Sequence, residues 1–203
     1  STLLRRLKGS MARIQRDSLL GLEAYARVRS EIRARVIEHK KLRTVLLGDS
    51  VSLIFEDELT IRYQIQEMLR IERIFEEQGI RDELETYNAL IPDRRNFKAT
   101  MMIEYPDPDE RREWLARLIG IEDKVWIQVR GFGRVWAIAD EDLERENGEK
   151  TSAVHFLRFE TTEEMARALK TGAVLSVGID HPQYTTVLEL SPSVRTALAV
   201  DLA

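Results

Sequence analysis

The order in which two hydrophobic periods succeed one another constrains this chain's fold more than any single residue does. Apolar residues three and four apart mark helices, and alternating or β-branched runs mark strands. After an opening helix they follow one another as β-β-α-α-β-α-β-β-β-α-β-β-α. Strict βαβ alternation, the sign of a doubly wound parallel sheet, is missing. The pattern predicts an α+β fold, a mainly antiparallel sheet with packed helices and a helical N-terminal part. No Pro/Gly-rich linker interrupts residues 11–203, so one domain is expected there. Residues 1–10 end in Gly9-Ser10 before Met11 and read either as a cloning junction or as a basic extension carrying Arg5, Arg6 and Lys8.

Local signals set the expected boundaries. Asp17 or Ser18 can cap a first helix running to about Lys41, with Leu22, Tyr25, Ile32 and Val36 on its packing face. Residues 43–47 and 51–56 flank Gly48-Asp49-Ser50 and predict a hairpin. A long helix is expected from about Glu58 to Glu77, closed by Gly79, then a shorter one over 81–90. Asp107-Pro108-Asp109-Glu110 is a strong helix start. Strands 124–130 and 134–139 straddle Gly131-Phe132-Gly133, with Trp126 and Trp136 placed to stack across the hairpin. Residues 140–150 read as an exposed loop, mobile at its tip. Strand 152–159, a helix opened by Thr161 or Thr162, strands 173–178 and 184–190, and a short helix from Ser191-Pro192 complete the chain.

Composition excludes whole classes of chemistry. There is no cysteine, hence no disulfide, thiolate metal site, iron–sulfur ligation or cysteine nucleophile. Only His, Asp and Glu remain as ordinary metal ligands, and there are just three histidines, His39, His155 and His181. A net charge of −4 argues against nucleic acid as a bulk partner, leaving Arg94, Arg95 and Lys98 as a small local patch. No apolar run approaches a membrane span, and no secretory signal opens the chain, so a cytoplasmic location is expected. Gly131-Phe132-Gly133 joins two strands and opens no helix, so it is no dinucleotide fingerprint. Neither a P-loop nor a G-x-S-x-G elbow is present.

Candidate site residues follow from polar groups in apolar surroundings. Wound at 100° per residue, residues 59–77 place Ile61, Ile65, Met68, Leu69 and Phe75 on one face and Glu72 near its centre. A carboxylate there must be paired, protonated or bound to a cation. Glu67 and Arg70 fall on the other side as a surface ion pair. On strand 153–159, Ala153, His155, Leu157 and Phe159 share one face, and Val154, Phe156 and Arg158 the other. Each face holds one ionisable group among apolar ones. His155 is thus a candidate ligand or acid–base group, and Arg158 an anion site or the partner of Glu72. Tyr87 and Asn88 at a helix end, and Asp180-His181-Pro182-Gln183-Tyr184 in a loop, are further candidates for binding. A divalent metal would have to be assembled from His155, His181 and one or two of Glu72, Glu76, Glu67 and Glu104. Each of these residues also has a purely structural reading as ion pair, hydrogen-bonded core group or turn.

Residues 61–74 (IRYQIQEMLRIERI), 87–92 (YNALIP), 99–104 (ATMMIE), 155–159 (HFLRF) and 180–184 (DHPQY) together resemble the bacterial DUF3501 family of unknown function. The resemblance spans roughly residues 17–203. Family members are often encoded beside rubrerythrin and an iron–sulfur oxidoreductase. The resemblance therefore implies a stand-alone cytoplasmic protein with a link to redox or peroxide handling, and rubrerythrin or the oxidoreductase as a possible partner. It implies no catalytic residues. Two functions remain open from the sequence. One is a non-catalytic accessory protein with a protein partner, a homodimer among the options. The other is a metal-binding protein or enzyme with a Glu/His site between the long helix and the sheet.

Overall fold

The computed structural model describes residues 13–203, so the expectation for residues 1–10 lies outside the described residues. The fold is α+β with antiparallel sheets. Sheet A has the order β1-β2-β3-β7-β6, and sheet B the order β5-β4-β8-β9. Their strands are β1 (Thr44–Leu47), β2 (Val51–Phe55), β3 (Asn96–Ile103), β4 (Val125–Val129), β5 (Val135–Trp136), β6 (Ile138–Ala139), β7 (Val154–Glu160), β8 (Leu175–His181) and β9 (Tyr184–Glu189). The helices are α1 (Leu22–Lys40), α2 (Glu58–Ile71), α3 (Glu77–Asn88), α4 (Pro108–Arg117), α5 (Glu163–Lys170) and α6 (Pro192–Ala199).

Alternation along the strands gives each sheet one apolar face. Leu53 of β2, Met101 of β3 and Leu157 of β7, with Ile127 of β4 and Val177 of β8, belong to one buried cluster that also takes Leu115, Leu169 and Leu198 from α4, α5 and α6. Burying large aliphatic side chains of this kind stabilises by about 1.5–3 kcal/mol each. A second cluster, built on Ile61, Ile65 and Leu69 of α2 with Ile80 and Leu84 of α3, also holds Ile14 and Leu19. The helical N-terminal part is anchored there.

Several expected boundaries hold for the expected reasons. Asp107 accepts from Glu110 N–H at 3.0 Å, with Pro108 in the first turn of α4. Thr162 caps α5 through Met165 N–H at 3.2 Å, and Ser191 caps α6. The hairpin β1–β2 turns at Gly48, whose φ of +68° suits glycine.

Others move. Helix α1 starts at Leu22 behind Gly21, and Asp17 and Ser18 fall in a preceding 3-10 turn at Arg16–Ser18. The long helix stops at Ile71, with Glu72 as its C-terminal cap residue and Arg73 in the left-handed region at φ +52°. Gly79 lies inside α3, where a Cβ would stand 2.7 Å from Ile74 Cγ2. The 134–139 run is divided. β5 pairs with β4 in sheet B and β6 pairs with β7 in sheet A, with Ala137 between them donating to Val125 O at 2.9 Å. Trp126 and Trp136 are cross-strand partners, but Trp136 is exposed while Trp126 is buried under the Arg134 guanidinium, 4.0 Å from its ring. Asp180 and His181 extend β8, and only Pro182 and Gln183 form the turn before Tyr184.

Candidate metal centre

His155 sits near the start of β7 on the buried face of sheet A, opposite Met101 of β3. It has no exposed surface. The alternation of β7 sends it inward with Leu157 and Phe159. A buried imidazole needs partners for both nitrogens.

Asp140 supplies one of them. It follows β6 directly, at a left-handed φ of +51° that turns the chain back over β7. Its N–H donates to Phe156 O at 2.8 Å, and its Oδ1 accepts from Phe156 N–H at 3.0 Å, so its position is held by β7 itself. Its Oδ2 lies 2.6 Å from His155 Nδ1. Arg145 grips the same carboxylate through Oδ1 at 3.1 Å. Nδ1–H is donated to Asp140, and on the other side of the ring the Thr151 hydroxyl stands 2.8 Å from Nε2. Ser152 O is a further neighbour of Nε2 at 2.9 Å.

Glu122 completes the cluster. Gly120, at φ +85°, lets the chain reverse after α4 into a 3-10 turn at Ile121–Lys124. That turn carries Glu122 inward until the residue is only 5 % exposed. Its Oε2 lies 4.0 Å from His155 Nε2 and has no hydrogen-bond partner among the described residues. Burial pushes the Glu122 carboxyl up to about 7, and the neighbouring Glu146 carboxyl raises it further. Glu146 in turn accepts from Gly120 N–H at 2.8 Å.

One donor atom from each of Glu122, Asp140 and His155 lies within 4.8 Å of the other two. Beside them the chain forms an acidic concavity of about 360 Å³, lined by Asp142, Glu144 and Glu146 among others. This is the segment expected to be a mobile loop. Its first end is held on β7 by Asp140 N–H to Phe156 O, and its last by the bridge between Glu146 and Thr151 and by Thr151 N–H to Leu115 O at 2.9 Å. Sequence reasoning named His155 and missed Glu122 and Asp140. The three residues come from three segments at irregular spacing. The one available signal was a lone histidine facing the core, which demands polar neighbours.

The other candidates lie elsewhere. Glu72 is exposed at the end of α2 rather than central to a buried stripe, and Phe75 beyond it is 72 % exposed. Arg158 does not meet Glu72; it holds Glu141 bidentately at 3.0 and 2.7 Å, and also Glu160. His181 is buried, with Nε2 donating to Ile119 O at 2.9 Å and Nδ1 accepting from Gln183 N–H at 3.1 Å, so both nitrogens are satisfied by backbone. Tyr184 bonds Leu47 O and Ser50 N–H, stitching the β9 turn to the β1–β2 turn. Asn88 clamps the N-terminal segment, accepting from Ile14 N–H at 2.7 Å and donating to Ile14 O at 3.1 Å. Tyr87 is half-buried, its hydroxyl pushed up by burial and engaged with Gln64. Glu76 and Glu104 are exposed. Glu67 is no surface pair: it takes Tyr25 OH at 2.6 Å and Arg29 at 2.7 and 2.9 Å, with Arg70 at 3.5 Å.

Comparison with known proteins gives a family and a solved structure. The profile of a family described as "Protein of unknown function (DUF3501)" matches residues 13–202. A crystal structure of a novel protein of unknown function from Burkholderia pseudomallei K96243 is similar at 56% identity and a TM-score of 0.90, covering 95% of this chain and 100% of that one. No curated protein matches the chain.

Proposed function

The chain belongs to the DUF3501 family of proteins of unknown function, and we propose that it is a metal-binding protein whose divalent cation sits at the Glu122, Asp140 and His155 cluster, with Glu122 and His155 Nε2 as ligands and Asp140 behind the ring. The observation that carries this reading is the Glu122 Oε2 atom, buried, unpartnered among the described residues and 4.0 Å from His155 Nε2. A buried acceptor left unpaired costs about 1–3 kcal/mol, and a carboxylate more. A cation between these groups removes that cost. Asp140 at Nδ1 orients the ring in the way that outer carboxylates orient metal-bound histidines. An imidazole nitrogen and a carboxylate oxygen, without sulfur, suit Mn²⁺, Fe²⁺ or Zn²⁺ better than Cu⁺ or an iron–sulfur cluster.

Calorimetric titration of chelator-stripped, dialysed protein with Zn²⁺ and Mn²⁺ tests the proposal. One site per chain is expected for at least one of the two ions, lost in Glu122→Gln. Heats unchanged in both Glu122→Gln and His155→Ala would sink the idea.

The pathway part of the proposal rests on the family resemblance. It places the protein in redox or peroxide-stress handling in the cytoplasm, with rubrerythrin or an iron–sulfur oxidoreductase as partner. Among the described residues, no helix is long and apolar enough to cross a membrane. Co-purification from the native host tests the pairing; recovery of neither protein with the tagged chain contradicts it.

A further inference from the structure

The outward face of sheet A carries a second feature, separate from the buried cluster. The end of α3 and the segment 141–145 wall a groove of about 670 Å³ over β3 and β7. That volume lies in the range of small-molecule sites. Leu90, Leu143 and Phe156 make its walls largely apolar.

Its floor contains an arrangement that antiparallel sheets avoid. Lys98 of β3 and Arg158 of β7 are directly opposed partners, two cations on one face. Like charges so placed repel unless an anion lies by them. The chain supplies anions: Glu160, one turn of the pleat along β7, and Glu141, which reaches over from beyond β6. Glu141 forms a two-pronged pair with Arg158 at 3.0 and 2.7 Å, the geometry in which a guanidinium recognises a carboxylate. The Arg158 hydrogen bond holds Glu141 below the usual carboxylate range, and Lys98 acts in the same direction. The Glu141 side chain is nevertheless half exposed, 52 %, and an exposed pair of this kind is worth little. Lys98 donates to Ala89 O at 2.7 Å, which uses one of its three N–H groups.

We propose that this groove binds a small amphipathic carboxylate, whose carboxylate takes the place of Glu141 on Arg158 and Lys98 while its apolar body lies against Phe156, Leu90 and Leu143. Glu141 then acts as a built-in occupant that an incoming acid displaces. The groove's other acids, Glu85, Asp142 and the half-buried Glu56, favour a monoanion over a dianionic phosphate. The site also adjoins the cluster described above. Arg145 lines the groove, lies 4.6 Å over the Phe156 ring and bonds Asp140, the carboxylate behind His155, so the groove and the buried cluster share a segment. The binding proposal does not depend on a metal being bound.

Octanoate and its neutral isostere octanamide are the probes, followed by calorimetry or ligand-observed NMR with wild-type protein, Glu141→Gln and Arg158→Gln. Octanoate is expected to bind at least tenfold tighter than octanamide. Glu141→Gln, which keeps the side chain's size but releases the guanidinium, should tighten octanoate severalfold and leave octanamide unchanged. Arg158→Gln should bring octanoate down to the octanamide level. Equal binding of the two probes to wild type overturns the proposal, and this comparison needs no variant to fold. So does an absence of octanoate binding to both wild type and Glu141→Gln at millimolar concentration.

Discussion

Glu122 Oε2 and His155 Nε2 face each other across 4.0 Å inside the protein, and no described residue donates to the oxygen. Asp140 is the residue that makes this approach chemically specific. It fixes which ring nitrogen points at the glutamate.

Asp140→Asn should therefore fold, because an amide oxygen still accepts from Phe156 N–H, yet lose orientation of the imidazole. Metal affinity is expected to fall about 10- to 100-fold, the usual effect of removing such an outer carboxylate. Titration calorimetry beside far-UV circular dichroism checks it. Undiminished affinity in a folded variant would show that Asp140 neither ligates nor orients.

Asp201, in the turn after α6, makes stability depend on pH. Arg43, buried, bonds Asp201, and its Nε lies 3.5 Å from Asp57 Oδ2, which in turn lies 2.5 Å from His39. Burial pushes Asp201 up to about 6 despite the Arg43 charge, with Asp57 adding to the rise and His39 opposing it. Raised above its unfolded value, this carboxyl favours the native state when protonated. Its contribution is present below about pH 4 and lost as the pH rises toward 6. Urea unfolding between those limits should show wild type losing about 1–3 kcal/mol more than Asp201→Asn. Parallel curves for the two proteins would refute the assignment.

Much of this architecture was legible beforehand, and the failures are instructive. Asp107, Thr162 and Ser191 announced helix starts because a side-chain oxygen facing an orphan N–H is a local, short-range device. Glu72 misled because the helical wheel assumes an unbroken helix. Arg73 in the left-handed region ends α2 before the predicted face is complete, and no residue there signals it. The metal cluster was invisible for the opposite reason. Asp140 meets His155 only because residues 134–139 leave one sheet for the other at Ala137, a tertiary event with no sequence period.

Glu67 anchors α1 on α2. Tyr25 has no exposed surface and donates its hydroxyl to Glu67 at 2.6 Å, and the Arg29 hydrogen bonds hold the carboxyl down at about 2. Glu67→Ala leaves a buried hydroxyl without its acceptor and should destabilise by about 2–3 kcal/mol, with Glu67→Gln recovering part. Chemical denaturation measures both. A loss under about 0.5 kcal/mol for the alanine variant would mark the pair as surface decoration.

Gly178 is required by a neighbour rather than by its backbone. A Cβ there would overlap the Trp126 ring and stand 2.8 Å from Thr186 O. Gly178→Ala should cost about 1–3 kcal/mol through displacement of that ring. Thermal unfolding with tryptophan fluorescence follows both effects at once. An unshifted midpoint and spectrum would show that the ring yields freely.

The most direct measurement is elemental analysis of tag-free protein purified without chelators, wild type beside Glu122→Gln and His155→Ala. The metal-centre account predicts close to one transition-metal ion per wild-type chain and a small fraction of that in both folded variants. Metal content equal in all three proteins would contradict it.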